Sequence, residues 1–324
     1  MNIQQLRYLS EVAEQGLNLS KAALALHTSQ PGISRQIRLM EEELKAQLLI
    51  RQGNRIAALT EPGRHAVDIS RRILRELDNL KKVGADAASE ASGSLVIATT
   101  HAHARYVLIP VVRRFQLQFP QVHLSLRQGN PDQIVKLVHS GEADLGICTA
   151  PTMAMAELAH LPWTHIHRCV LVPKGHPLLK KKKLTLAHLA QYPMITLDSS
   201  FAGGVAVMSA FAARKIAPNV VLSATDADVI KAFVASVMGI ATLPEIAFDA
   251  KRDEGLKSIS ARHLFNPSAS YVWIHRHHYL RGFASSFIQM LAPDWTRARV
   301  DLAMRSNNTP SAAKLTDMAT QSGG

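Results

Sequence analysis

Apolar positions recur at helical spacing through the first ninety residues. Ile33, Ile37, Met40 and Leu44 stand four, three and four apart, a stripe that predicts a helix over 29–44 with one face turned to a core. Its other face carries Gln30, Ser34, Arg35 and Arg38. Pro31 fits the first turn, where no backbone N–H is needed, and Thr28 or Ser29 can cap the start. Upstream, Ile3, Leu6, Leu9 and Ala13 predict a first helix ending near Gly16. Leu19, Ala22, Ala23 and Leu26 predict a second, capped by Ser20. Small residues at 22 and 23 permit a close crossing by the next helix, so the order reads as a helix-turn-helix.

Two short strands around Gly53 and Asn54 follow within 48–60, a hairpin flanked by Arg51 and Arg55. Thr60 then caps a long helix that opens at Glu61 and Pro62 and runs to about residue 88. Ile69, Ile73, Leu77 and Leu80 line one stripe of it. A helix of about 25 residues spans about 38 Å and needs a partner for such a stripe, which predicts a two-fold dimer through the same helix of a second copy. Residues 88–94 read as a hinge.

From residue 94 the period changes. Strands at 94–100, 122–128 and 143–149 alternate with helices up to 119 and over 131–141. A second set of strands at 167–175, 194–198, 220–225 and 239–244 is interleaved with helices after Thr185, Gly204 and Thr225. The chain returns through a strand at 271–275 to a helix at 280–291. Alternation of this kind predicts two α/β lobes. The expected fold class is therefore multidomain: an all-α winged helix-turn-helix domain at 1–60, a long linker and dimerisation helix with its hinge at 61–90, and a two-lobed α/β domain at 91–308. Lobe I takes 91–162 and 268–308, and lobe II takes 163–267. The small, polar tail at 309–324 is expected to be disordered.

Composition narrows the function classes. The 324 residues are 47% hydrophobic, enough for sizeable cores, but no apolar run approaches the ~20 residues of a membrane span. The N-terminal stretch has no apolar segment of the kind that directs export, so a cytoplasmic protein with no membrane partner is expected. Cys148 and Cys169 are too few and too isolated for a disulfide framework or a zinc cluster. The net charge of +12 is unevenly placed: residues 1–90 hold 13 Lys plus Arg against 11 Asp plus Glu, and the remainder 24 against 14. DNA binding must therefore rest on local patterning, with net charge a weak aid.

That patterning assigns double-stranded DNA to Ser29, Gln30, Pro31, Ser34, Arg35 and Arg38 on the second helix of the motif, with Arg51 and Arg55 on the wing reaching the backbone or the minor groove. In the α/β part, hydroxyls stand at three expected strand ends: Thr99 and Thr100, then Thr149, then Ser199 and Ser200 before Gly203 and Gly204. Each can be a helix cap. Together they describe a pocket for a small polar, anionic ligand. The Thr225 to Asp228 spacing is close to a capping box, while Asp226 or Asp228 is also placed to meet a cationic group of the ligand.

The residues in the first sixty positions carry a resemblance. Leu6, Ser20, Ala22-Ala23, Ser29-Gln30-Pro31, Ile33-Ser34, Glu41, Leu44, Arg51 and Leu59-Thr60 resemble the N-terminal domain of the LysR-type transcriptional regulators. Lys45 departs from that pattern where a glycine is usual, and Leu49 where phenylalanine is usual. The resemblance implies a periplasmic-binding-protein-like clamshell for the two lobes. ATTHAHARY (98–106), the Gln128-Gly129 and Pro131 motif, LAHLAQYPMIT (186–196), ATDADVIK (224–231), FIQMLAP (287–293) and the segment at 302–307 are similar to the CysB-like branch, which controls sulfur assimilation and sulfonate use. In that branch cleft hydroxyls bind an anionic or acetylated effector, and Thr100 and Thr149 match them. Ala102 and His103 replace threonine and glutamine, and Ala202 replaces threonine.

Other signals carry less. His101 and His103, and the group His275, His277 and His278, lack a carboxylate or cysteine spacing that completes a metal site, so no metal and no cofactor are expected. His103 is better placed to face an anion. Lys180 to Lys183 reads as a solvated loop. With no phosphate-binding glycine loop, nucleophile elbow or paired carboxylates, no catalysis is expected. The expectation is a homodimeric or homotetrameric LysR-type activator of sulfur-metabolism genes. It would bind promoter DNA, answer to sulfate, an acetylserine or adenylyl sulfate, and meet RNA polymerase. The alternatives are a regulator of another pathway, or a small-molecule-binding protein or enzyme on the same clamshell.

Overall fold

In the computed structural model the chain divides into two units, Met1–Ala88 and Ser89–Gly324. The structure describes residues 1–53, 55–87, 92–153 and 155–306. Asn54 of the expected turn, most of the expected hinge and the expected tail lie outside these.

The first unit opens with α1 (Ile3–Glu14), α2 (Leu19–Ala25) and α3 (Gln30–Leu44). Leu9, Val12, Ala22, Ile33 and Ile37 are wholly buried between them, and Ala22 is the close crossing point that its size permits. Two expectations change. Asn18 rather than Ser20 caps α2, its side chain accepting from the N–H groups of Ser20 and Lys21. Leu44, at the end of the α3 stripe, is exposed, because the helix stops at Lys45 before another turn covers it. Lys45 adopts the left-handed conformation at φ 52°, costing on the order of 1 kcal/mol where glycine would cost less.

The wing is β1 (Leu49–Gln52) paired antiparallel with β2 (Arg55–Leu59). It leads into α4 (Glu61–Ala87), whose start is fixed by Thr60: the hydroxyl accepts from Gly63 N–H at 2.9 Å and donates to the Gln47 carbonyl at 2.6 Å. A Cβ at Gly63 would lie 2.0 Å from the Leu48 carbonyl oxygen, so this close approach requires glycine. The helix has two apolar faces. Val67 and Leu74 turn to the core shared with α1, while Ile69, Ile73, Leu80 and Val83 are exposed and Leu77 is half-buried.

The second unit holds two five-stranded sheets. β3 (Gly93–Thr99), β4 (Val122–Gln128), β5 (Leu145–Thr149), β6 (Leu158–Ile166) and β12 (Ser268–His275) lie in the order β4-β3-β5-β12-β6; the first three are parallel and β12 runs against both its neighbours. β7 (Arg168–Pro173), β8 (Met194–Leu197), β9 (Val220–Ala224), β10 (Ile240–Pro244) and β11 (Leu256–Ser260) form the second, ordered β11-β7-β10-β8-β9. Helices α5 (His101–His103), α6 (Ile109–Gln118), α7 (Pro131–Ser140), α11 (Gly282–Leu291) and α12 (Arg297–Arg305) accompany the first sheet, and α8 (Leu186–Leu189), α9 (Ala202–Ala213) and α10 (Ala227–Ala235) the second. The chain crosses between sheets after β6 and again before β12.

Some details differ from the sequence expectation. β6 and β11 were not anticipated; both are edge strands, and β6 contains Pro162, which an edge tolerates because one row of N–H groups has no partner strand. The helix expected to run to 119 is interrupted by a π-helical turn at Ala104–Leu108. α9 begins at Ala202 rather than after Gly204, and a Cβ at Gly204 would meet the Leu197 carbonyl oxygen at 2.3 Å, so the first turn of α9 presses directly on the end of β8.

Candidate DNA interface and ligand cleft

In the first unit, α3 and the wing enclose an open groove of about 380 Å³ lined by Leu19, Gln30, Pro31, Ser34, Arg35, Arg38, Arg51, Gly53, Arg55 and Ile56. Seven of the eight residues assigned to DNA from sequence line it. The eighth, Ser29, is spent on the helix start, its hydroxyl accepting from Gly32 N–H at 3.2 Å. Arg51 is not a loose wing charge: its guanidinium lies 2.9 Å from the carboxylate of Glu41. The same carboxylate accepts from the N–H groups of Leu48 and Leu49 at 2.9 and 3.1 Å. Glu41 thus fastens the wing to α3.

This changes the charge balance of the helix. Of the three glutamates at 41–43, Glu41 is engaged with the wing and Glu43 with the N-terminal ammonium. No described residue pairs with Arg35, Arg38 or Arg55. The groove presents three unneutralised guanidiniums, the chemistry that reads guanine edges and grips phosphates.

In the second unit, the expected cleft hydroxyls are not equivalent. Thr99 is wholly buried and donates to the Ile147 carbonyl at 2.9 Å, bracing β3 against β5, so it is removed from the ligand-facing set. Thr100 caps α5 and lies 2.7 Å from Nδ1 of His103. His103 does not face a solvent-open anion: it is 2% exposed, with Nε2 2.7 Å from the Ser270 hydroxyl. Burial lowers its pKa to about 4, so the imidazole is neutral and holds one N–H to donate while its other nitrogen accepts. Ser270 stands beside Thr149 in the register of β12 and β5. Thr100, His103, Ser270 and Thr149 therefore form one polar run across the lobe I sheet ends.

Ala102 is half-buried next to this run, and Gln128 ends β4 exposed beside Thr99. Across lobe II, Ser199 is exposed and Ser200 donates its N–H to Asp198 at 2.8 Å; the Ser200 hydrogen bonds hold the Asp198 carboxyl below its usual range. Ala202 starts α9, which has no side-chain cap. Thr225 is exposed and caps nothing. Asp226 is the cap of α10, accepting from Asp228 and Val229 N–H.

The acidic residues are committed to protein partners from the other lobe. His101 Nδ1 lies 3.1 Å from Asp226 and its Nε2 3.2 Å from Asp228. Asp228 also receives the Tyr106 hydroxyl at 2.6 Å, Arg105 at 2.7 Å and Lys231 at 2.9 Å. Lys231 continues to Asp253 at 3.1 Å. Partial burial raises the Asp228 carboxyl, but the bonds from Tyr106, Lys231 and His101 outweigh it and the net shift is downward. The ligand atoms of His101, Asp226 and Asp228 lie within 4.8 Å of one another. Arg105 and Lys231 already supply the positive charge a cation would bring, so the group is an ion-pair cluster between lobes. Sequence reasoning weighed His101 only as a metal ligand and did not single out Arg105, Tyr106 or Lys231. The signal was His101 two residues past the end of β3.

No helix among the described residues is long and apolar enough to cross a membrane. Residues 3–64 match the family described as bacterial regulatory helix-turn-helix protein, lysR family, and residues 88–296 match the LysR substrate binding domain. The HTH-type transcriptional regulator SsuR of Burkholderia cenocepacia is 43% identical over 300 residues, covering 93% of this chain and 97% of that protein. The HTH-type transcriptional regulator CysB of the same organism is 42% identical over 305 residues, covering 94% and 97%. The crystal structure of the cofactor-binding domain of the Cbl transcriptional regulator is 35% identical, covers 67% of this chain and 96% of that chain, and superimposes with a TM-score of 0.63.

Proposed function

The chain belongs to the LysR family of bacterial transcriptional regulators, and from that premise we propose that it is a cytoplasmic activator of sulfur-metabolism genes governed by a small anionic effector. It is a regulator and not an enzyme. The observation that carries the DNA half of the reading is the groove between α3 and the wing, with Arg35, Arg38 and Arg55 unpaired and the wing fixed by Glu41. The exposed stripe Ile69, Ile73, Leu80 and Val83 on α4 supports a dimer, which would present two such grooves to a two-fold site. A tetramer is the dimer of such dimers.

The effector half rests on the polar run through Thr100 and Thr149 in lobe I and on the exposed Ser199 ahead of α9 in lobe II. Likeness to SsuR, CysB and Cbl regulators supports a sulfur-containing or acetylated anion of the sulfate, acetylserine or adenylyl sulfate class. With Ala102, His103 and Ala202 where the branch has threonine, glutamine and threonine, this cleft offers fewer open polar groups, so its effector carries fewer hydrogen-bonding groups or more apolar surface. An effector acts only if it favours one lobe arrangement over the other. Footprinting of the DNA upstream of sulfur genes, with and without sulfate, O- and N-acetylserine and adenylyl sulfate, tests the reading. A protected two-fold site whose extent changes with one of these is expected; protection indifferent to all of them overturns the effector assignment.

A further inference from the structure

The lobe II sheet buries polar groups that its own packing does not satisfy. Along β7, Cys169 and Leu171 join the core under α10, whereas Val170 and Val172 join the core under α9. By strand alternation Arg168 shares the α9 face. Val170 stands beside Thr242, and Thr242 beside Thr196, so both threonines share that face too. They are 2% and 4% exposed, and neither hydroxyl has a hydrogen-bond partner among the described residues.

Arg168 itself is 3% exposed. It donates to the Asn266 carbonyl at 2.6 Å, to the Ser268 hydroxyl at 2.5 Å and to the Ala202 carbonyl at 3.5 Å, and no carboxylate among the described residues pairs with it. Burial lowers its pKa to about 10, which leaves it charged at neutral pH. Ala202 is the first residue of α9, a 12-residue helix with no side-chain cap. A buried cation lacking a counter-charge, two buried hydroxyls lacking partners and an uncapped helix start thus meet on one face of one sheet. Each of these is costly when unmet and favourable toward an oxyanion.

We propose that Arg168 is the counter-charge of an anion subsite under the first turn of α9, which takes the sulfo or carboxylate group of the effector with Thr196 and Thr242 as hydroxyl partners. This deepens the effector reading above and rests on it, naming the charge that selects the ligand. The site has a further consequence. Asn266 and Ser268 lie on the segment that enters β12, so Arg168 sits where the chain crosses between lobes, and the ligand's charge is delivered at that crossing.

The test is thermal unfolding of the full-length protein in chloride buffer and in titrations of sodium sulfate, sodium methanesulfonate and sodium acetate at matched ionic strength. Wild type, Arg168→Met, Arg168→Lys and the Thr196→Val, Thr242→Val pair are compared. Expected is a saturable rise in midpoint for wild type with at least one anion, a response weakened about tenfold or more in Arg168→Met, and an intermediate response in Arg168→Lys and in the valine pair. A full anion response in a folded Arg168→Met overturns the proposal, as does a wild type that answers none of the three anions. If Arg168→Met does not fold, unchanged responses in the lysine variant and the valine pair overturn it. Footprints run in parallel separate the two readings: an effector that moves the footprint without Arg168 leaves the regulatory reading standing and removes the subsite. Saturable anion binding through Arg168 with no effector-dependent footprint does the reverse.

Discussion

Glu41 and Arg51 lie 2.9 Å apart and join α3 to the wing. Because the Glu41 carboxylate also accepts from two buried backbone N–H groups, its removal would leave both unsatisfied and one guanidinium without its partner. Glu41→Ala should therefore cost about 2–4 kcal/mol, while Arg51→Ala, with a half-exposed guanidinium, costs about 1 kcal/mol or less. Denaturant unfolding of the full-length variants checks the ranking. Equal losses would mean that the ion pair, and not the N–H contacts, holds the wing.

The three unpaired arginines divide by position. Arg35 and Arg38 project from α3 and are expected to meet base edges; Arg55 on β2 is expected to meet phosphate. Replacing either helix arginine by alanine should weaken operator binding by about 1–3 kcal/mol and relax discrimination against unrelated DNA. Arg55→Ala should weaken both DNAs alike and flatten the salt dependence by about one unit of slope. Gel shifts at several salt concentrations read both quantities. Loss of discrimination in Arg55→Ala alone would exchange the roles.

Local periodicity made the first unit legible. A cap at Thr28 or Ser29, of which the structure uses Ser29, Pro31 in the first turn and a helix from 61 to about 88 all follow from signals within a few residues. β4 was likewise readable at its observed bounds, since the motif VHLSLRQ ends where Gly129 and Pro131 break the strand. What sequence could not give were the relationships between distant elements. Asn18 and Ser20 are both good caps, and the choice fell to the one whose side chain reaches two N–H groups. Edge strand β6 hides behind Pro162. His101 meets Asp226 and Asp228 only because two lobes bring strand ends together, and His103 reads as an anion contact until the burial on β12 that neutralises it is known. Thr99 and Thr100 are neighbours in sequence yet one braces a sheet and the other caps a helix.

His103 makes a pH prediction with a definite sign. Its folded pKa, about 4, lies below the ordinary value of 6.5, so the unfolded chain binds the extra proton first. The stability contribution is present in full above about pH 6.5 and is lost as pH falls toward 4, an effect of about 3 kcal/mol at its limit. His103→Gln, which keeps polar groups for Thr100 and Ser270 but cannot titrate, should unfold with a shallower dependence between pH 7 and pH 5. Superimposable pH profiles for the two proteins would show that His103 is protonated in the fold or accessible to solvent.

The exposed apolar stripe of α4 predicts its own disruption. Ile73→Asp places a charge in the middle of the row formed by Ile69, Ile73 and Leu80, while the buried face of the helix, with Val67 and Leu74, is untouched. Sedimentation should show the variant shifted to monomer, and DNA affinity should fall by about tenfold or more as the second groove is lost. A dimer of unchanged strength would assign self-association to another surface.

Asp228 gathers His101, Arg105, Tyr106 and Lys231 at one carboxylate, and the first three come from the other lobe. Asp228→Asn keeps the shape but removes the charge, so the lobes lose an electrostatic clasp while Lys231 retains Asp253. The expected loss is about 1–2 kcal/mol in thermal unfolding at neutral pH, the scale of hydrogen bonds to a half-exposed charged group. Since the folded Asp228 pKa lies below the ordinary carboxylate value, the wild-type advantage holds above about pH 4 and fades as acid protonates the group in the fold. Tyr106→Phe removes one bond and leaves the ion pairs, so it should cost less than Asp228→Asn. A Tyr106→Phe effect equal to that of Asp228→Asn would place the whole clasp in the phenol rather than in the charges. If instead Asp228→Asn leaves stability intact but changes the response to effector, the clasp sets the balance between lobe arrangements and not their integrity.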